Sequence, residues 1–198
     1  AIIGLVACAK DDVVSVQDSR NPIGFDTYVE NVTRVGYNND NLDGFYVWAF
    51  LNELVAVDGD VCKGFLLNAE EVRKAQNGGY TYDHTQYWIP NNTYYFYALA
   101  PIEGNDDDTT LIPAVGDDAK KGLGEVGFTN VDGTKDLIYA TSTVASASSN
   151  QGAVELQFNH LLSKVKFSFQ NGFADPNYTF TVSGIKMTAP KSASINLT

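Results

Sequence analysis

Two cysteines, two histidines and a few acidic runs are the residues here whose types carry chemistry, and Cys8 has the most specific setting. Ala1-Ile2-Ile3-Gly4-Leu5-Val6-Ala7 is apolar and small up to Cys8, and the polar Lys10-Asp11-Asp12 follows at once. An apolar stretch ending in small residues marks the end of an export signal. Leu5-Val6-Ala7-Cys8 matches the bacterial lipobox, where a peptidase cuts before a cysteine whose thiol receives diacylglycerol. That chemistry requires cysteine, because a thiolate is the nucleophile that is alkylated. Acyl chains then hold the protein to a membrane by about 0.8 kcal/mol per buried CH₂. The competing reading is a short strand ending in a buried cysteine. Cys62, between Val61 and Lys63, reads as a small buried strand residue.

The remaining candidates are weaker. His84 sits in a Tyr-rich stretch and His160 beside Leu161, settings that suit structural histidines better than catalytic bases. The sequence contains no Gly-x-Ser-x-Gly elbow, no His-Glu-x-x-His and no phosphate-cradling glycine loop. Asn105-Asp106-Asp107-Asp108 and Asp58-Gly59-Asp60 offer hard oxygen ligands but lack EF-hand spacing, and read as solvated turns. The expectation is a protein that is not an enzyme, with no cofactor and no resident metal.

Bulk composition agrees. Hydrophobic residues make up 44% and charged residues 19% of the 198 positions, enough for a packed core. With 13 basic against 24 acidic residues the net charge is −11, which opposes nucleic-acid binding. No apolar run reaches the roughly 18 residues of a membrane-spanning helix. The 11 Tyr, 11 Phe and 2 Trp favour the pleated, half-buried surface of strands.

The elements that must position these residues read almost entirely as strands. Residues 1–8 are the end of an export signal and 9–22 a polar, flexible leader. Ile23 to Glu30 is the first strand, followed by an Asn-rich loop over Val35–Asn41. Phe45-Tyr46-Val47-Trp48-Ala49-Phe50 is a short aromatic run that suits a strand buried on both faces. Asn68–Ala75 has helix-forming composition but is too short to define a helical domain. Tyr80 to Ile89 reads as a strand closed by a turn at Pro90-Asn91-Asn92, and Thr93 to Ala100 as the strongest strand. A Gly-rich polar region then runs to Lys135, and Asp136-Leu137-Ile138-Tyr139-Ala140 opens another strand. Val154, Leu156 and Phe158 alternate with Glu155 and Gln157, and Lys164–Phe169 alternates again. His160-Leu161-Leu162-Ser163 breaks that period and predicts a bulge or a crossing between sheets. Asn177–Met187 reads as a last strand pair or hairpin arm. The expected fold is all-β, a β-sandwich spanning 23–185 with 23–34 its first strand segment, and 186–198 opening a further strand or domain. The chain stops mid-pattern, which predicts continuation beyond Thr198.

Several segments together resemble the fimbrillin family of Bacteroidia, the Mfa-like pilins, over nearly the whole chain from Cys8 onward. They are Leu42-Asp43-Gly44-Phe45-Tyr46-Val47-Trp48-Ala49, Trp88-Ile89-Pro90 with Tyr94–Pro101, Asp136–Ala140, and Phe158-Asn159-His160-Leu161-Leu162-Ser163-Lys164-Val165. The last two are the more specific. The resemblance implies a transthyretin-like, Greek-key sandwich forming the N-terminal domain of an outer-membrane lipoprotein precursor that is built into a surface fimbrium. It implies a trypsin-like protease cutting after an arginine, departure of the first strand, and its replacement by a strand from a neighbouring subunit. Mapped here, the departing strand is Ile23 to Glu30 and the cut follows Arg34, with Arg20 the competing site. Cys8 is then a transient lipid tether if Arg34 is cut and a permanent anchor if it is not. Asp108-Thr109-Thr110 resembles an O-glycosylation acceptor of these organisms at Thr109. The other function open at this stage is a surface glycan-binding lipoprotein, with Tyr80, Tyr82, Tyr87 and Trp88 stacking on sugar rings, although the same residues suit a core.

Overall fold

The computed structural model describes residues 21–30, 36–51, 65–102, 123–129, 135–146, 151–163, 165–173 and 177–197. Cys8, Arg20, Arg34, Cys62, Thr109 and both acidic runs lie outside them. Every regular element among the described residues is a strand: β1 (Phe25–Val29), β2 (Gly44–Leu51), β3 (Phe65–Lys74), β4 (Tyr80–Thr81), β5 (Asn92–Ala100), β6 (Gly124–Thr129), β7 (Ile138–Ser146), β8 (Val154–His160) and β9 (Ser192–Leu197). A seven-stranded sheet runs in the order β1-β8-β7-β5-β2-β3-β4, and β6 pairs with β9 in a second sheet. The all-β expectation is met, with a sandwich-like layering.

That layering follows from where the seven-stranded sheet folds. β7 and β8 pair only at Ile138↔His160 and Tyr139↔Asn159. Three strand steps separate β8 from β2, about 14 Å in a flat sheet. Yet the rings of Phe45 on β2 and Phe158 on β8 are 5.4 Å apart, and those of Phe25 on β1 and Phe45 are 5.9 Å apart. The β1–β8 pair has therefore turned at the β7–β8 contact and lies over the face of the remaining strands.

The period of two along β2 and β5 then fills two cores. Phe45, Val47 and Ala49 of β2, with Tyr94, Phe96 and Ala98 of β5, face the β1–β8 layer. Trp48, Phe50, Tyr97 and Leu99 face the opposite way, against Leu123, Val126, Phe128 and Leu197 of the β6–β9 layer. The continuous aromatic run expected to be buried on both faces is so buried, and it forms the middle layer. Strands covered on both faces lose the polar half of the alternation.

The composition of Asn68–Ala75 does not win. Leu67 and Val72 are buried in the first core, and β3 pairs with β2 along its length. An isolated helix of this size is marginal, so tertiary pairing decides. The register skips between Val47↔Glu70 and Ala49↔Leu67, a bulge at Asn68-Ala69 where Ala69 has φ +51°. The predicted strand over 80–89 shrinks to the two residues of β4, and the turn before β5 is present, with Asn91 at φ +61°. β6 lies within the region read as Gly-rich loop. His160–Ser163 does cross between layers: β8 serves the first core while Leu161 and Leu162 pack against the second.

Gly44 opens β2 where β3 comes closest. A Cβ there would meet the Val72 carbonyl oxygen at 2.5 Å and Ile102 Cδ1 at 2.7 Å. Gly44→Ala is expected to cost about 1–3 kcal/mol by overpacking, measured by urea denaturation.

Candidate strand-exchange groove

β1 is short: one edge pairs with β8, the other is held at its flanks, and one face is buried. It runs parallel to β8 in the register Phe25↔Val154, Thr27↔Leu156 and Val29↔Phe158. The pairing is extended at each end, where Val154 N–H donates to the Gly24 carbonyl at 2.8 Å and Glu30 N–H to the Phe158 carbonyl at 3.2 Å. The other edge is held by the stretch after β4. Ile23 N–H donates to the Gln86 carbonyl at 2.8 Å, and Trp88 N–H to the Asn21 carbonyl at 3.3 Å. Near its end, Val29 N–H donates to Asn39 Oδ1 at 2.6 Å. Period two sends Ile23, Phe25 and Val29 into the first core, each at most 3% exposed. Phe25 touches the rings of Phe45, Phe96 and Tyr82, with centroids 5.9, 6.0 and 5.6 Å away.

Without β1, this region is a trough. One wall is the β8 main chain, the other is the 82–88 segment, and the floor is Phe45, Phe96 and Phe158. Each wall presents backbone groups that need a strand, and the floor needs apolar side chains at alternate positions.

Two tyrosines pin the wall. Tyr82 Oη donates to the Ile23 carbonyl at 2.8 Å and accepts from Gln86 N–H at 3.1 Å. Tyr80 Oη donates to the Leu42 carbonyl at 3.0 Å and accepts from the Thr27 hydroxyl at 3.1 Å. Tyr82→Phe removes both bonds of one hydroxyl, and a loss of about 1–2 kcal/mol is expected on thermal or urea unfolding. Burial raises the Tyr82 pKa from 10.0. The Glu70 and Tyr87 charges also raise it, and the Gln86 N–H opposes them. Tyr46, Tyr97 and Tyr139 shift the same way, again chiefly through burial. A phenol whose folded pKa is raised stays neutral in the native state while the unfolded chain ionises. Its contribution is therefore complete below pH 10.0 and is lost as pH rises above it. Stability should hold up to about pH 10 and fall beyond it, with a smaller fall in Tyr82→Phe, as read from denaturation midpoints.

The loop after the predicted cut has its own anchor. Tyr37 N–H donates to Asp136 Oδ2 at 3.3 Å, and the same oxygen is 2.5 Å from His160 Nδ1. Leu137 N–H donates to Asp136 Oδ1 at 3.0 Å. Gly36 lies so close that a Cβ there would collide with Asp136 Oδ2. Asn38 then organises the turn, accepting from Asp40 N–H at 2.8 Å and Asn41 N–H at 3.1 Å. His160 is thus nearly buried and hydrogen-bonded, and its partner went unnoticed in the sequence. Among the described residues no cluster of metal-ligating groups forms. His84 pairs with Glu70 at 3.0 Å on the surface.

Of the aromatics considered for sugar stacking, Trp88 is fully buried, Tyr80 and Tyr82 are half-buried, and Tyr87 is 37% exposed. They serve the core and the wall of the trough. Cys8, Arg20, Arg34 and Thr109 lie outside the described residues. Of the residues that define the site, Gln86 and Asn39 carried no distinguishing signal, Tyr80 and Tyr82 stood out only as sugar-stacking or core aromatics, and Asp136 and His160 stood in the two specific motifs.

Layering, groove and β1, the first described strand, define an all-β, sandwich-like domain. The fimbrillin-like family model matches residues 33–198, and the chain belongs to the fimbrillin-like family. The match begins after β1. No curated protein and no solved structure matches the chain. Membership implies a pilus subunit, associated with other subunits in a fimbria at the cell surface.

Proposed function

We propose that this chain is a structural, non-enzymatic pilus subunit that polymerises by exchanging its first strand for one from a neighbour. The observation that carries the reading is β1 itself. It is a short strand, paired with β8 along one edge and held on the other only at its flanks, with Phe25 and Val29 in the core and its link to the next strand running through residues 30–43. Arg34 falls in that connection, and a cut after it separates β1 from the body. The loop beyond the cut stays attached through Tyr37 and Asp136. A cut after Arg20 leaves β1 in place, so Arg34 is the productive site.

In this scheme Cys8 carries the lipid that delivers the precursor to the outer membrane, and the leader leaves with β1. Where Arg34 stays intact, Cys8 is a permanent anchor. Thr109 is the proposed glycosylated residue. The incoming strand must present apolar residues at alternate positions to replace Ile23, Phe25 and Val29, since only strand addition satisfies both trough walls.

The test is limited digestion of the folded precursor with a trypsin-like protease. The wild type should yield a new terminus at Val35 and SDS-resistant ladders, and Arg34→Ala should yield neither. Ladders that form equally in Arg34→Ala would defeat the assignment of the cut. A clean cut followed by a stable monomer, in the presence of full-length subunit, would defeat strand exchange.

A further inference from the structure

β1 carries a charge that its place in the sheet does not favour. In the parallel β1–β8 register Asp26 lies beside Glu155, on main chains about 4.8 Å apart as in any sheet. Both side chains are exposed on the outer face, since the flanking Phe25, Val154 and Leu156 point into the first core. Like charges side by side on neighbouring strands are destabilising, and aspartate is among the residues least suited to a strand. Among the described residues nothing relieves the pair, and neither carboxylate enters an ion pair or a hydrogen bond. Arg73 is bound to Glu71, and Lys74 to the Asn39 and Asp40 carbonyls. From Ile23 to Glu30 the sequence has two acids and no base.

The setting turns this repulsion against β1 in particular. β7 pairs with β8 only at Ile138↔His160 and Tyr139↔Asn159, so over Val154–Phe158 β1 is the one described strand that β8 holds. Asp26 and Glu155 also line a cleft of about 550 Å³ that reaches Thr141 of β7. Facing solvent, the two carboxylates repel modestly. That is enough to bias a strand of five residues without unfolding the domain. A pairing rule broken at one exposed pair, in the one strand proposed to leave, marks a functional position.

We propose that Glu155 is a charge-selecting residue of the trough: it repels the resident strand through Asp26 and favours an uncharged or basic residue at the same register. The proposal rests on the reading of β1 as the exchanged strand and gives that exchange a direction. The resident strand satisfies the apolar floor and the main-chain wall but meets Glu155 with like charge. A strand with the same apolar alternation and no acid beside Glu155 is held more firmly, by about twofold for one contact of this kind. A lysine or arginine there replaces the repulsion with a cross-strand ion pair. β1 is thus weakened at a position that leaves Phe25 and Val29 in the core, and its covalent link keeps it in place until it is cut.

The test is hydrogen exchange in the full chain carrying Arg34→Ala, so that β1 stays attached and the readout does not depend on cleavage. The amides of Val154, Leu156 and Phe158, which face β1, report its local opening. Against this parent, Asp26→Asn and Glu155→Gln should each slow exchange about twofold, and Asp26→Lys about fivefold. The sign should then reverse, with Asp26→Lys and Glu155→Lys together restoring fast exchange. The differences should shrink as salt rises, and the amides of β5 should not respond. Equal exchange in all variants overturns the proposal, as does a double lysine variant as slow as Asp26→Lys alone. Failure of strand exchange itself is read separately, from the ladders that follow cleavage at Arg34. The expected charge series in a protein that forms no ladders would establish the repulsion and overturn its role in exchange.

Discussion

Phe25→Ala should destabilise the uncut domain by about 3–5 kcal/mol, a large share of the stability of a domain this size. The side chain is 3% exposed and meets three aromatic rings, so its removal leaves a void that rigid neighbours on β2 and β5 cannot close. The consequence reaches beyond stability. β1 is held to β8 by main-chain bonds of modest net worth, about 1 kcal/mol each, and its side chains supply most of the rest. With Phe25 gone, β1 should open locally far more often than the domain unfolds, and the β8 amides should exchange faster at once. Thr27→Ala, on the same strand but half-buried, should cost under about 1 kcal/mol. Urea unfolding of the two variants checks this. Equal losses would mean that Phe25 is not the plug of the trough.

Asp136→Ala should be the next most damaging change, at about 3 kcal/mol. The carboxylate and the His160 ring are 15% and 5% exposed, and the substitution strands the ring together with the Tyr37 and Leu137 N–H groups. Asp136→Asn keeps an acceptor for the backbone and should recover roughly half of the loss. The pair sits at the single point where β7 and β8 join, so the damage should be local as well as global. Exchange at Asn159 and His160 should rise more than exchange in β5. A loss below about 1 kcal/mol, or uniform exchange, would contradict this role.

The residues that made the fold legible were those whose pattern survives without knowledge of partners. Phe45–Phe50 and Thr93–Ala100 are apolar on both faces because they form the middle of three layers. Val154, Leu156 and Phe158 alternate because their layer has one wet face. The break at His160–Ser163 marks a true crossing from one core to the other. Other features depended on distant pairing. Glu125-Val126-Gly127-Phe128 alternates, but its glycines give the composition of a loop, and only β9 makes it a strand. Asn68–Ala75 favours a helix locally and is overruled by β2. The parallel match of β1 to β8 joins residues about 130 positions apart, which no local period encodes. Asp136 and His160 stood in the two most specific motifs, yet their contact is a product of the β7–β8 turn. The alternation of Val165–Phe169 and Tyr178–Val182 predicts strands that the structure does not form: both stretches are exposed and carry no regular element.

Hydrogen exchange at the β8 amides of Val154, Leu156 and Phe158, which face β1, tests the central claim most directly, because that strand is one wall of the trough. Three states should be compared: the intact precursor, the protein just after cleavage at Arg34, and the assembled fibre. The account predicts slow exchange in the precursor, fast exchange once β1 has left, and slow exchange again in the fibre, with residues 21–34 absent from the fibre by mass. Persistent protection by a β1 peptide that stays bound through assembly, or β8 amides that remain fast in the fibre, would contradict strand exchange.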